Sequence, residues 1–99
     1  YETLRMATVG GACAVGMEGE LGVVALGARA DLILVDMGGT HWAPGNDPIA
    51  GLVYNAKSTD VDTVLVDGRI LVECGELIGT DTTALAREAG RRVEQIERR

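Results

Sequence analysis

The sequence predicts an α/β chain in which a helix, a short set of strands with a β-hairpin, and a closing helix follow one another. Three observations carry this expectation. Leu32, Ile33, Leu34 and Val35 form an unbroken apolar run between Asp31 and Asp36, the pattern of a strand covered on both faces. Asp67-Gly68 interrupts a Val- and Ile-rich stretch, and Asp-Gly is a strong two-residue hairpin turn because both central residues take positive φ. Leu85, Ala89, Val93 and Ile96 recur at spacings of four, four and three, which is one face of a helix.

In chain order, residues 1–15 place Leu4, Ala7, Ala12 and Val15 near helical spacing, with Gly16 positioned to end the helix in a left-handed cap. Gly10 and Gly11 weaken that helix in isolation and point to close packing against a neighbour. Residues 19–28, GELGVVALGA, are punctuated by glycine and read as a strand or an extended turn. After the apolar strand comes a long Gly- and Pro-rich loop, residues 37–51. Loops of that length are functional or cover another element. Within it, Asp47 is placed to cap a short helix over 49–56 with Pro48 in its first turn. The hairpin then runs through Val61, Val64 and Val66 and returns through Ile70 and Val72. From Thr80 the tail is helical, capped by Asp81 or Thr80, with Glu88 and Arg92 paired four residues apart on its polar face. Acidic residues precede Arg98-Arg99, as the helix dipole favours.

Composition narrows the function. The chain has 99 residues and a formal charge of -6, which argues against nucleic acid because phosphate binding is driven by Lys and Arg. The same balance fits poorly with an anionic membrane surface. No apolar run approaches the roughly 18–20 residues of a membrane span. With three aromatic residues, Tyr1, Trp42 and Tyr54, and no Phe, a self-contained core would rest on Val, Leu, Ile and Ala. A chain of this size buries roughly 60–70% of its surface at best. Cys13 and Cys74 are too few for a disulfide framework and read as reduced, partly buried thiols of a cytoplasmic protein. Tyr1 is not a Met and the chain opens inside a helical pattern, so a preceding segment is expected.

The stretch GELGVVALGARADLILVD is more specific. It resembles the junction after the barrel in the amidohydrolase superfamily, where a pattern like I-G-S-L-x-x-G-K-x-A-D-L-v-v-x-D begins the returning strands of a small β-sandwich. Gly22, Gly27, Ala30, Asp31, Leu32 and Asp36 stand at matching places, while Val23 and Ala28 replace the usual Ser and Lys. LRMATVGGACAVG looks like the last barrel helix of that family. Asp47, Pro48, Leu52, Val53, Tyr54 and Ala56 match a segment D-P-x-x-x-L-V-Y-x-A. That segment resembles the branch containing methylthioadenosine/S-adenosylhomocysteine deaminases, guanine-type deaminases and triazine hydrolases.

The resemblance implies the C-terminal part of a TIM-barrel enzyme. Residues 1–18 would be the last helix of the barrel, 19–79 half of a composite β-sandwich with its long loop and hairpin, and 80–99 a C-terminal helix covering the barrel. It implies a metal-dependent hydrolase acting on a C–N bond, most simply the deaminase of a purine-type small molecule. A triazine chloro- or aminohydrolase, or another cyclic-amide hydrolase of the same fold, is the alternative within the family. A non-catalytic β interaction module is the alternative outside it. The remainder of the polypeptide is the expected partner, a homo-oligomer is left open, and neither nucleic acid nor membrane is expected.

Family catalysis uses a Zn2+ or Fe2+ ion that activates a water, held by an H-x-H, two further histidines and an aspartate. This chain has one histidine, and such a site needs several convergent ligands. No catalytic, cofactor-binding or metal-ligating residue is therefore assigned to it. His41 is expected as a loop residue packed with Trp42, the rival reading being a lining of the substrate entrance. Asp47 is expected as a helix cap. Asp31, Asp36, Asp60, Asp62 and Asp67 are expected at strand edges or turns, with Asp31 satisfying backbone donors or Arg29.

Overall fold

The computed structural model describes residues 1–98. Helix α1 spans 2–14 in three pieces: an α turn Glu2–Arg5, a π-helical segment Met6–Gly10 and an α turn Gly11–Ala14. The expected left-handed cap is present. Gly16 has φ 77°, its N–H donates to the Cys13 carbonyl and the Met17 N–H donates to the Ala12 carbonyl, which together satisfy the last free carbonyls of the helix. The apolar stripe is displaced, because a π turn inserts an extra residue and rotates the rest of the helix about its axis. Ala12 is buried while Val15 is exposed.

Residues 19–28 resolve to turns with a single bridge between Glu18 and Leu21, so of the two expected forms the extended turn is the one adopted. Among the described residues nothing outside α1 itself presses on Gly10 or Gly11. Gly22 is the tight position: a Cβ there would meet the Thr8 carbonyl oxygen at 2.5 Å. Its φ of 77° is one that side chains other than Gly rarely take.

Strand β1 is Leu32–Val35, β2 Val61–Val66, β3 Arg69–Glu73 and β4 Glu76–Leu77. They form one antiparallel sheet in the order β1-β2-β3-β4. Leu32 faces Leu65, Ile33 faces Val64, and Val64 in turn faces Val72. Asp67 and Gly68 make the expected turn with φ of 51° and 77°. A second tight turn, Cys74-Gly75 with φ of 52° and 76°, leads into β4, a strand that the sequence pattern does not announce.

Two further expectations are corrected. Strand β1 is not covered on both faces by this chain: it stands at the sheet edge with Ile33 54% and Leu34 59% exposed. Both thiols are exposed instead of partly buried. The reason for Cys74 is its place at the tip of the β3–β4 turn.

Helix α2, Pro48–Tyr54, begins as expected: the Asp47 side chain accepts from the Ile49 and Ala50 N–H groups with Pro48 at its start. Helix α3, Thr82–Glu97, is capped by Asp81, which accepts from the Ala84 N–H. Glu88 receives both Arg91 and Arg92, and these bonds hold its carboxyl below the ordinary carboxylate range. Its apolar stripe is open: Leu85, Val93 and Ile96 are all exposed.

Among the described residues the buried apolar side chains are Ala12 and Trp42, with Thr63 as a buried polar one. The chain exposes 7912 Å², where a compact monomer of this size would expose roughly 5,400 Å². Its radius of gyration is 17.4 Å, against about 13 Å for a compact domain of 100 residues. Strands, turns and caps are formed, but among the described residues most of their apolar side chains stay exposed.

Candidate functional site

Side chains from distant parts of the sequence converge at the connection between β1 and β2. A turn of 3-10 helix, Thr40–Trp42, and a second, Ser58–Asp60, bring its two halves together. Asp60 Oδ2 accepts from His41 Nε2 at 2.6 Å, from the Lys57 backbone N–H at 2.8 Å and from Trp42 Nε1 at 3.1 Å. An ionised carboxylate only accepts, so the proton in the first of these lies on His41 Nε2. The Asp60 carbonyl also accepts from the Asp36 N–H at 2.7 Å, closing the neck of the connection.

Held in this way, Trp42 is the most buried apolar side chain described, at 3% exposed. Its ring lies on the backbone of α2, where a Cβ on Gly51 would meet it at 2.7 Å. The Asp60 carboxyl is held below its ordinary value, first by the Lys57 N–H and next by the His41 side chain. Hydrogen bonds to the charged form of an acid favour that form.

Of the residues weighed from the sequence, His41 does pack beside Trp42, with ring centroids 6.1 Å apart. Sequence reasoning missed that Asp60 joins them. The available signal was an aspartate three residues after Lys57, whose carboxylate folds back to accept from the Lys57 N–H. Asp31 accepts from the Asp67 N–H at 2.7 Å, the backbone alternative, while Arg29 lies 4.0 Å from Glu20. Asp36 accepts from the Gly38 N–H and Asp62 from the Thr63 hydroxyl. Asp67 sits in its turn. These carboxylates hold local backbone and converge on no common point.

The described residues do not fit a catalytic zinc. His41 and Asp60 are bonded to each other, Oδ2 is already shared among three donors, and no group of three His, Cys, Asp or Glu side chains is placed to hold a metal among the described residues. An apolar groove of about 310 Å³ lies between α1, the turn at Gly22 and the edge of β1, lined by Leu4, Val24, Ile33 and Leu52. No helix of the described residues is long and apolar enough to cross a membrane.

Residues 1–71 match the amidohydrolase family. A 5-methylthioadenosine/S-adenosylhomocysteine deaminase of Acetivibrio thermocellus is 55% identical over 74 residues, 75% of this chain and 17% of that protein. An adenosine deaminase from Xanthomonas campestris, solved with bound zinc, is 34% identical with a TM-score of 0.94, covering 98% of this chain and 22% of the other. An atrazine chlorohydrolase from Arthrobacter aurescens complexed with zinc is 31% identical with a TM-score of 0.82, covering 91% and 20%. The chain spans about a fifth of the length of the curated relatives it matches.

Proposed function

The chain belongs to the amidohydrolase family, and from that premise we propose that it is the C-terminal scaffold of a zinc-dependent deaminase acting on a purine-type substrate. In this reading residues 1–18 are the last helix of a barrel, 19–79 half of a composite sandwich and 80–99 the helix that closes the scaffold. The metal is held by residues outside this chain, and methylthioadenosine, S-adenosylhomocysteine or a guanine-like base is the substrate. Two exposed, unpaired thiols suit a cytoplasmic protein.

One observation carries the proposal. The fold of this chain, sheet and last helix included, matches part of a zinc-bound adenosine deaminase over 98% of its length. An arrangement with so little buried interior is not one that a free domain would keep. It makes physical sense as one layer of a larger protein. The likeness to the atrazine chlorohydrolase supports a second reading, in which the same scaffold serves a triazine hydrolase.

The test is substrate profiling of the zinc-loaded intact polypeptide. Ammonia release is followed with methylthioadenosine, S-adenosylhomocysteine, adenosine and guanine, and chloride release with chlorotriazines. Ammonia from a purine without chloride from a triazine is the expected result. Chloride release alone would move the assignment to the second reading, and no turnover of any of these would refute both.

A further inference from the structure

We propose that the two halves of a strap, residues 36–60, are latched to each other at the Asp60 carboxylate, and that releasing this latch opens the strap without disturbing the sheet. The topology permits this. The strap joins β1 to β2, two strands already paired antiparallel, from Leu32–Leu65 to Val35–Val61. Its two ends therefore stay side by side when its middle moves. At its neck one backbone bond remains, from the Asp36 N–H to the Asp60 carbonyl, which does not involve the carboxylate.

The latch itself is concentrated. His41 and Trp42 come from one half of the strap and Lys57 from the other, and all three donate to the same oxygen, Oδ2. No buried side-chain nitrogen or oxygen among the described residues is left without a partner, so loss of that oxygen orphans the His41 and Trp42 donors together. Trp42 in turn fixes α2 through its contact at Gly51. Releasing the indole therefore frees both the loop and the helix that rests on it. Local opening of this kind exchanges amide hydrogens independently of global unfolding.

Hydrogen exchange by mass spectrometry on the intact polypeptide tests the latch. Asp60→Ala, which removes the accepting oxygen altogether where Asn would keep an amide oxygen in its place, should raise exchange of peptides within 37–47 by roughly 10- to 100-fold, as expected when a local unit loses its closing bonds. Peptides from the hairpin, 61–73, should stay within about twofold of the parent, since they belong to a separate unit. His41→Gln should give a smaller rise in 37–47 with the hairpin unchanged, and the double variant should exceed Asp60→Ala by little, because the two act on one bond. Unchanged exchange in 37–47, an equal rise in the hairpin, or additive effects in the double variant would overturn the proposal. Should Asp60→Ala not fold, the His41→Gln pattern decides alone: a rise confined to the strap supports the latch, and a uniform or absent rise overturns it.

Discussion

Gly22→Ala is the substitution whose cost the structure lets us work out in parts. Two effects act at this position. The backbone sits at φ 77°, and placing a residue with a Cβ in the left-handed region costs roughly 1–2 kcal/mol. The new Cβ would also stand 2.5 Å from the Thr8 carbonyl oxygen, 2.6 Å from its carbon and 2.9 Å from the Val9 nitrogen. All three are backbone atoms of α1, so no side chain can swing away to relieve the overlap. Overpacking of this kind costs roughly 1–3 kcal/mol, for a combined loss of about 2–5 kcal/mol. Gly19 supplies the control. Its φ is 83° and nothing lies within 4 Å of an added Cβ, so Gly19→Ala should lose only the backbone part, roughly 1–2 kcal/mol. Urea unfolding of the intact polypeptide, followed by circular dichroism at matched slopes, gives both values. Equal losses for the two variants would show that the Gly22–Thr8 approach is not a tight contact, and the reasoning from the added Cβ would fail.

Gly51→Ala should destabilise by about 1–2 kcal/mol although Ala is the better helix former, because a ring fixed 2.7 Å away must be displaced; a higher unfolding midpoint would contradict this. Asp47→Ala should cost about 1 kcal/mol through loss of the cap on the Ile49 and Ala50 N–H groups, measured by the same unfolding midpoint, with no change meaning that water replaces the cap. For Asp60 the folded pKa lies below its ordinary 3.8, so the unfolded chain binds the proton more readily. Its stabilisation is therefore fully present above the unfolded value and is lost as pH falls below 3.8 through the folded one. The stability difference between parent and Asp60→Asn should be flat at neutral pH and shrink in that acid window; a difference that grows on acidification would be the wrong sign. The 99 residues alone should bind a hydrophobic dye and melt without a sharp transition, and a cooperative two-state melt would speak against the scaffold reading.

What was legible in the sequence was local. Asp67-Gly68, Asp47-Pro48 and Gly16 each act through atoms within a few residues, and each forms the turn or cap that its chemistry demands. What was hidden depends on partners far along the chain. Asp60 is joined to His41 and Trp42 across 19 and 18 positions, and no spacing rule links a loop aspartate to a particular indole. Gly22 was visible as a matched glycine, yet its contact with Thr8 arises only once the turn folds back on α1. The β3–β4 turn escaped notice because Cys74 holds a positive φ of 52°, a conformation for which Asn, Asp or Gly is the usual signal.

Strand β1 carries the remaining discrepancy, and it is informative. An apolar run from Leu32 to Val35 is the pattern of a strand buried on both faces, yet Ile33 and Leu34 stand more than half exposed. The same mismatch recurs at α3, whose stripe of Leu85, Val93 and Ile96 has amphipathic spacing and no cover. Burial of each such side chain is worth roughly 1.5–3 kcal/mol, so these positions together hold far more stabilisation than the local turns and caps supply. Side chains patterned for burial report the environment in which the segment works. On that reasoning the sheet edge and the outer face of the last helix are surfaces patterned for cover, and the latched strap between β1 and β2 is the part of the chain that holds its shape with its own atoms.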